Sequence, residues 1–199
     1  MRIACSLGSL LSVEEVLQCT EIASKTGIDS IWIPETWGME NFSMLGAVAN
    51  NTKTQKIGSS IINIYSRSPS TIAMGSATID TLSNGRLILG LGTSSVPIVE
   101  DFHGQKFENP VQRMREYVEI IRLSLMKKQI NYSGKIFDLK NFTLLIEPKR
   151  KSIPIYLAAI NEKMVNLCWE IGDGVIFYLR PIDEMKKTIS KMQSQKNID

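Results

Sequence analysis

Short strands that are apolar on both faces alternate along this chain with helical segments that are apolar on one face, and few folds can absorb that pattern. The first cycle is "RIACSL" (residues 2–7), then a helical run in which Val13, Val16, Leu17, Thr20 and Ala23 recur at helical spacing. Ser12 opens that helix with Glu15 three positions on, a capping box, and Gly27 closes it. The second cycle is "SIWIPE" followed by "NFSMLGAVANN". The third is "KIGSSIINI" followed by a helix that Ser68 and Pro69 open, that carries Ile72, Ala73, Ala77, Ile79 and Leu82, and that Asn84-Gly85 ends. The fourth strand, "RLILGLG", leads through a long irregular stretch over residues 93–109 into the helix "VQRMREYVEIIRLSLMKK". "IPIYLAA" with "EKMVNLCWEI", capped by Asn161, and "GVIFYL" with a helix over 182–193 bring the count to six strand–helix units. Between the fourth helix and the fifth strand, "INYSG" and "KIFDLKNFTLLIEP" alternate around Ser133-Gly134 and read as an inserted hairpin.

Repeated alternation of this kind implies a parallel sheet covered by helices, either an open doubly wound sheet or a (β/α)8 barrel. The barrel is favoured by where the chemically interesting residues fall. Glu35 follows the second strand, Ser60-Ile61 lies at the third, Gly92-Thr93 follows the fourth and Ala159 follows the fifth. A barrel gathers all those strand ends at one mouth. The expected fold is therefore α/β, of the (β/α)8 TIM-barrel type, incomplete, with about six βα units and an inserted hairpin after helix 4, forming one partial domain over residues 1–199. Eight units need roughly 250 residues, so the chain reads either as a fragment of a longer protein or as a short form that closes its open edges as a homodimer.

Charge and composition exclude several function classes. Lysine and arginine total 23 against 20 acidic residues, and the basic ones are scattered, not gathered into a stripe that could neutralise phosphates, so no nucleic-acid partner is expected. Cys5, Cys19 and Cys168 lack a paired spacing and read as free thiols of a reducing compartment. With no 18-residue apolar run and no signal segment at the N-terminus, no membrane partner is expected and the localisation is read as cytoplasmic. No metal is expected: His103, the single histidine, has no partners at ligand spacing and reads as a solvated loop residue. The stretch "GRLILGLGTSS" looks at first like a dinucleotide fingerprint, but Ser95 stands where the third glycine belongs.

Four segments in series, "GIDSIWIPETWG", "IGSSIINIYSRSPSTIAMGSATIDTLSNGRLILGLGTSS", "GQKFENPVQRMREYVEIIR" and "IPIYLAAINEKMVNLCWEIGDGVIF", resemble the luciferase-like monooxygenase superfamily. Within it they resemble the coenzyme F420-dependent oxidoreductases related to methylenetetrahydromethanopterin reductase. The resemblance implies a barrel mouth that holds coenzyme F420, a 5-deazaflavin, or in sister branches FMN, and a small-molecule substrate. It implies that the cofactor ring lies against a bulge at Ser60 and Ile61, with a non-prolyl cis peptide, and that Gly90, Gly92 and Thr93 lie beneath it. Ala158, Ala159, Ile160 and Asn161 then match the stretch that binds the cofactor phosphate, where a helix N-terminus would also favour an anion. Glu35, Thr36 and Trp37 occupy the catalytic position where relatives often carry an Asp-His pair, so a carboxylate survives and the imidazole does not. The resemblance admits three activities: hydride transfer with F420, FMN-dependent oxygenation, or flavin binding without catalysis by a shortened homologue.

Overall fold

The computed structural model describes residues 2–8, 10–126 and 129–196; the expected end of the fourth helix at Lys127-Lys128 lies outside them. The chain runs β1 (Ala4–Ser6), α1 (Val13–Lys25), β2 (Ser30–Ile33), α2 (Asn41–Asn51), β3 (Lys56–Ser59), β4 (Ile62–Asn63), α3 (Pro69–Leu82), β5 (Leu87–Gly92), α4 (Pro110–Met126), β6 (Gln129–Ser133), β7 (Asp138–Thr143), β8 (Ile155–Ala158), α5 (Glu162–Ile171), β9 (Gly174–Ile176) and α6 (Ile182–Lys196). Strands β1-β2-β3-β5-β8-β9 are neighbours in that order, every pair parallel, and β4 continues the third strand beside β5. This is a curled half-barrel, and all strand ends that precede helices point the same way.

The cause is legible in the strands. Ile31, Ile33, Ile57, Leu87, Leu89, Leu91, Ile155 and Leu157 are wholly buried in one core with the helices. The residues between them face the other way, as a period of two requires. There Trp32 and Tyr156 lie 5.9 Å apart, centroid to centroid, and are only partly buried. Gly58 and Gly174 make room for them: an added Cβ would sit 2.5 Å from the Trp32 ring and 2.7 Å from the Tyr156 ring.

Helix ends follow their signals. Ser12 and Glu15 form the reciprocal capping box, Ser68 caps α3 with Pro69 behind it, and Asn161 caps α5. Gly27, Asn84 and Gly85 take positive φ where the helices stop. Leu82, expected on the buried stripe of α3, is instead largely exposed. The stretch over 93–109 is not wholly irregular, for Ile98–Phe102 form a π-helical turn. At the opposite end of the barrel, Arg86 ties α2 to the strands by donating to the carbonyls of Gln55 (2.6 Å) and Ala49 (2.9 Å). Cys168 is buried, and burial pushes its thiol up to about 12; the described residues contain no group of metal-binding side chains and no helix long and apolar enough to cross a membrane.

The antiparallel hairpin β6–β7 packs outside the barrel on α4. One carboxylate fastens it: Glu116, 1% exposed, accepts the N–H groups of Lys135 (2.8 Å), Ile136 (3.1 Å) and Phe137 (2.9 Å) and the Gln112 amide (2.8 Å). Burial alone would push the Glu116 carboxyl up, but those hydrogen bonds outweigh it and hold it below the usual range. A depressed carboxyl contributes stability that is complete above its unfolded value of about 4.3 and is lost as pH falls through the lower folded one. Urea unfolding is expected to show Glu116→Gln less stable by about 2 kcal/mol at pH 7, with the gap to the unmodified protein closing as the pH is taken towards 3.

Candidate active site

The third strand contains an extra residue. Gly58 pairs with Ile88 and Ile62 with Leu91, so four steps on one strand answer three on the other, the count of a β-bulge. The Ser59 hydroxyl fills the gap, accepting the Gly90 N–H at 2.7 Å and donating to the Gly90 carbonyl at 2.8 Å. The Ser60 N–H crosses to the Ile33 carbonyl of β2 at 2.8 Å, and the Ser60–Ile61 peptide is cis. The two glycines of "LGLG" belong to this detour. A Cβ on Gly90 would lie 1.8 Å from the Ser59 carbonyl oxygen, and one on Gly92 would lie 2.5 Å from the Ile61 side chain. Sequence reasoning gave those glycines to close approach by a cofactor; the space they leave is occupied by the chain's own bulge.

At the exit of β2, Glu35 is almost wholly engaged. Arg67 donates from Nη1 to Glu35 Oε2 at 2.7 Å and from Nη2 to both Glu35 Oε1 and Glu40, while the Asn41 N–H reaches Glu35 Oε1 at 3.2 Å. Hydrogen bonding with Glu35 is the chief cause that holds the Arg67 guanidinium above its ordinary value. Sequence reading overlooked Arg67, and the signal was available: an arginine on the loop after the third strand must project at the same mouth as Glu35. Thr36 differs from its neighbour. Its hydroxyl is buried and has no partner among the described residues, and the same holds for the Ser60 hydroxyl at the bulge. Trp37 is 74% exposed and meets Phe102 edge-to-face, centroids 5.8 Å apart.

The loops around the mouth are cross-linked beneath these residues. Tyr65 stacks on Phe107 at 5.3 Å and donates to the Glu108 carbonyl at 2.9 Å, and the Tyr117 hydroxyl donates to the Arg67 carbonyl at 2.6 Å. Burial pushes the Tyr117 phenol up to about 12, so it remains a donor throughout the neutral range. Beyond β8, Ala158 is partly buried and Ile160 exposed, while Ala159 is buried with its N–H spent on the Ile176 carbonyl at 3.2 Å. Asn161 spends its side chain on the Met164 N–H at 3.0 Å. At that corner, then, the Ala159 N–H and the Asn161 side-chain oxygen are engaged, and an anion would be received by the first-turn N–H groups of α5 that lack intrahelical acceptors. Thr93 is partly buried beside Gly92, and His103 is an exposed loop residue.

A half-barrel whose strand ends converge on a bulged third strand is the mouth of an incomplete (β/α)8 fold. The sequence profile described as luciferase-like monooxygenase matches residues 1–197, and the chain belongs to that family. It is 39% identical over 157 residues to the 5,10-methylenetetrahydromethanopterin reductase of Archaeoglobus fulgidus, an alignment covering 78% of this chain and 46% of that protein. The chain thus spans about half the length of the curated relatives it matches. Among solved structures it superposes on the coenzyme F420-dependent tetrahydromethanopterin reductase of Methanopyrus kandleri with a TM-score of 0.82 at 24% identity, covering 88% of this chain and 55% of that one. It also superposes on a monooxygenase of Streptomyces bottropensis with a TM-score of 0.86 at 19% identity, covering 98% and 65%. Both superpositions bear on the fold.

Two stability measurements test this geometry. Gly90→Ala forces a side-chain carbon into backbone and is expected to unfold at markedly lower denaturant than Gly92→Ala, whose close clash is with the Ile61 side chain and which otherwise touches Ala158 Cβ at 3.4 Å. Arg67→Met, which removes the cation from the buried Glu35 carboxylate while Glu40 keeps the Phe42 and Ser43 N–H groups, is expected to cost about 3 kcal/mol. Glu35→Gln, which leaves Arg67 the Glu40 carboxylate, should cost less.

Proposed function

We propose that this chain is an oxidoreductase that binds coenzyme F420 at its strand ends and takes part in hydride transfer between that deazaflavin and a small organic substrate. The observation that carries this reading is the bulge. The Ser60 hydroxyl of the bulge and the Thr36 hydroxyl after β2 are both buried and have no partner among the described residues. Buried polar atoms without partners are rare and are commonly satisfied by a ligand or by water. The 35% identity over 170 residues to a putative coenzyme F420-dependent oxidoreductase of Mycobacterium tuberculosis supports F420 as their partner. When bound, a deazaflavin supplies a ring carbon that accepts or gives a hydride.

On this reading Ser60 and Ile61 back the ring and fix its plane, while the Ser60 and Thr36 hydroxyls supply hydrogen bonds to its polar edge. Gly90 acts at one remove, by letting the bulge form. Gly92 and Thr93 shape the floor, with Ile61 resting over Gly92. Ala158, Ile160 and Asn161, with the N-terminus of α5, receive the cofactor phosphate, and Ala159 holds that corner to β9. Glu35 anchors Arg67 through its two oxygens, and Thr36 and Trp37 face the reacting groups. The residues thereby position the reactants and exclude water, which is the larger part of what a protein contributes to such a transfer.

The family's monooxygenases give a second reading, FMN-dependent oxygenation on the same scaffold. Titration followed by visible absorbance separates the two. Saturable binding of F420 is expected, and Gly92→Ala, which displaces Ile61, should weaken it about tenfold while leaving the circular dichroism unchanged. FMN binding with oxygen consumption in the presence of a reductant would move the assignment to the monooxygenases, and binding of neither cofactor would overturn both readings.

A further inference from the structure

The hairpin β6–β7 reaches the mouth through the side chain of Phe137. This residue ends the tight turn that opens at Gly134, its carbonyl accepts the Gly134 N–H at 2.8 Å, and its ring is partly buried against the core. The Tyr117 ring meets the Phe137 ring edge-to-face, centroids 5.1 Å apart, and the Arg113 guanidinium lies over the Phe137 ring at 5.3 Å. Both neighbours stand on α4, and each leads on to the loop that follows the bulged strand. Tyr117 donates to the Arg67 carbonyl, and Arg67 in turn grips Glu35 and Glu40. Arg113 also covers the Tyr65 ring at 4.6 Å, and Tyr65 stacks on Phe107 and donates to the Glu108 carbonyl. Two routes from one ring thus end on the loop of Tyr65 and Arg67.

The kind of side chain matters at position 137. Among the described residues Arg113 has no carboxylate partner, and its Nε is buried without a hydrogen bond. A guanidinium withdrawn from water in this way is held by the electron-rich faces of the rings around it, here those of Tyr65 and Phe137. Burial pushes the Tyr65 and Tyr117 phenols up, and the Arg113 charge opposes part of that push, so the cation serves both tyrosines. The edge-to-face contact with Tyr117 likewise depends on a ring. Glu116 fixes where that ring starts, because it accepts the Phe137 N–H at 2.9 Å. An aliphatic side chain would fill the volume and leave both neighbours without the face they rest on.

We propose that Phe137 is a positioning residue of the mouth: its ring sets the places of Arg113 and Tyr117, and through them the loop that carries Tyr65 and Arg67. It acts from the hairpin, outside the barrel, and touches no reacting group. The claim that this positioning serves a cofactor rests on the F420 reading; the brace itself rests on the ring contacts.

Hydrogen–deuterium exchange of the unliganded protein, read peptide by peptide, tests the brace without any cofactor. Phe137→Leu keeps apolar bulk and removes the ring face, whereas Phe137→Tyr keeps the face. In Phe137→Leu the amides of residues 64–68 are expected to exchange about tenfold faster while those of α3 stay unchanged, and Phe137→Tyr should keep exchange slow. Arg113→Met, which cuts the same link from the α4 side, should speed the same amides, so the outcome does not hang on one variant. F420 affinity, titrated by absorbance, should fall about fivefold in Phe137→Leu and recover in Phe137→Tyr. Unchanged exchange at 64–68 in both Phe137→Leu and Arg113→Met, or equal acceleration across α3, would overturn the brace. Faster exchange at 64–68 with undiminished F420 affinity would overturn its part in holding the cofactor. Faster exchange there in a protein whose unmodified form takes no F420 would leave the brace standing and remove the cofactor reading.

Discussion

Where the third strand steps away from the fifth, the N–H and carbonyl of Gly90 would both be left buried without partners, and unpaired backbone groups in a core are costly. The Ser59 hydroxyl answers both, one as acceptor and the other as donor. Much of the mouth follows from that single side chain. Because the hydroxyl replaces a stretch of ladder, the chain can accommodate an extra residue without losing register, and Ile62 and Asn63 rejoin β5 in parallel pairing. The approach of the Ser59 carbonyl then requires glycine at position 90, and the Ile61 side chain rests in the space that glycine leaves at position 92.

A second layer of order holds the loops against this strand. Arg67 links the second and third units through Glu35 and Glu40, and its own carbonyl is held by Tyr117 from α4. Tyr65 reaches the loop after β5 through Phe107 and Glu108. These links are short and largely withdrawn from solvent, so the mouth is preorganised before any ligand arrives. Preorganisation of this kind is what a positioning scaffold needs, since binding free energy is then not consumed in ordering loops.

The sequence carried the periodic parts of this architecture well. Strand and helix order, the inserted hairpin, the capping residues Ser12, Ser68 and Asn161 and the left-handed turn at Asn84-Gly85 all follow from local chemistry, and the structure has them. What it carried poorly depends on partners distant along the chain. Arg67 is an unremarked loop residue until the fold places it against Glu35, 32 positions away, and Glu116 looks like one more polar position of α4 until the hairpin turn closes on it. The pair "LGLG" is the instructive case. Its meaning, room for close approach, is legible, but the approaching atoms are those of residues 59 and 61, which only the parallel pairing brings alongside. Likewise Asn161 is a cap by local rule, and that rule already commits its side chain.

The hairpin β6–β7 interrupts the strand–helix cycle without disturbing it. It leaves the barrel after α4 and returns before β8, and β5 and β8 pair directly as though nothing intervened. Its principal tether, the Glu116 carboxylate, grips the backbone of the turn, not any side chain in it. That grip still fixes one residue of the turn, for a Cβ on Gly134 would run into the Glu116 carboxylate, whereas the exposed Lys135 beside it gives only its N–H to the anchor, so the outer flank of the barrel can vary there while the mouth keeps its shape.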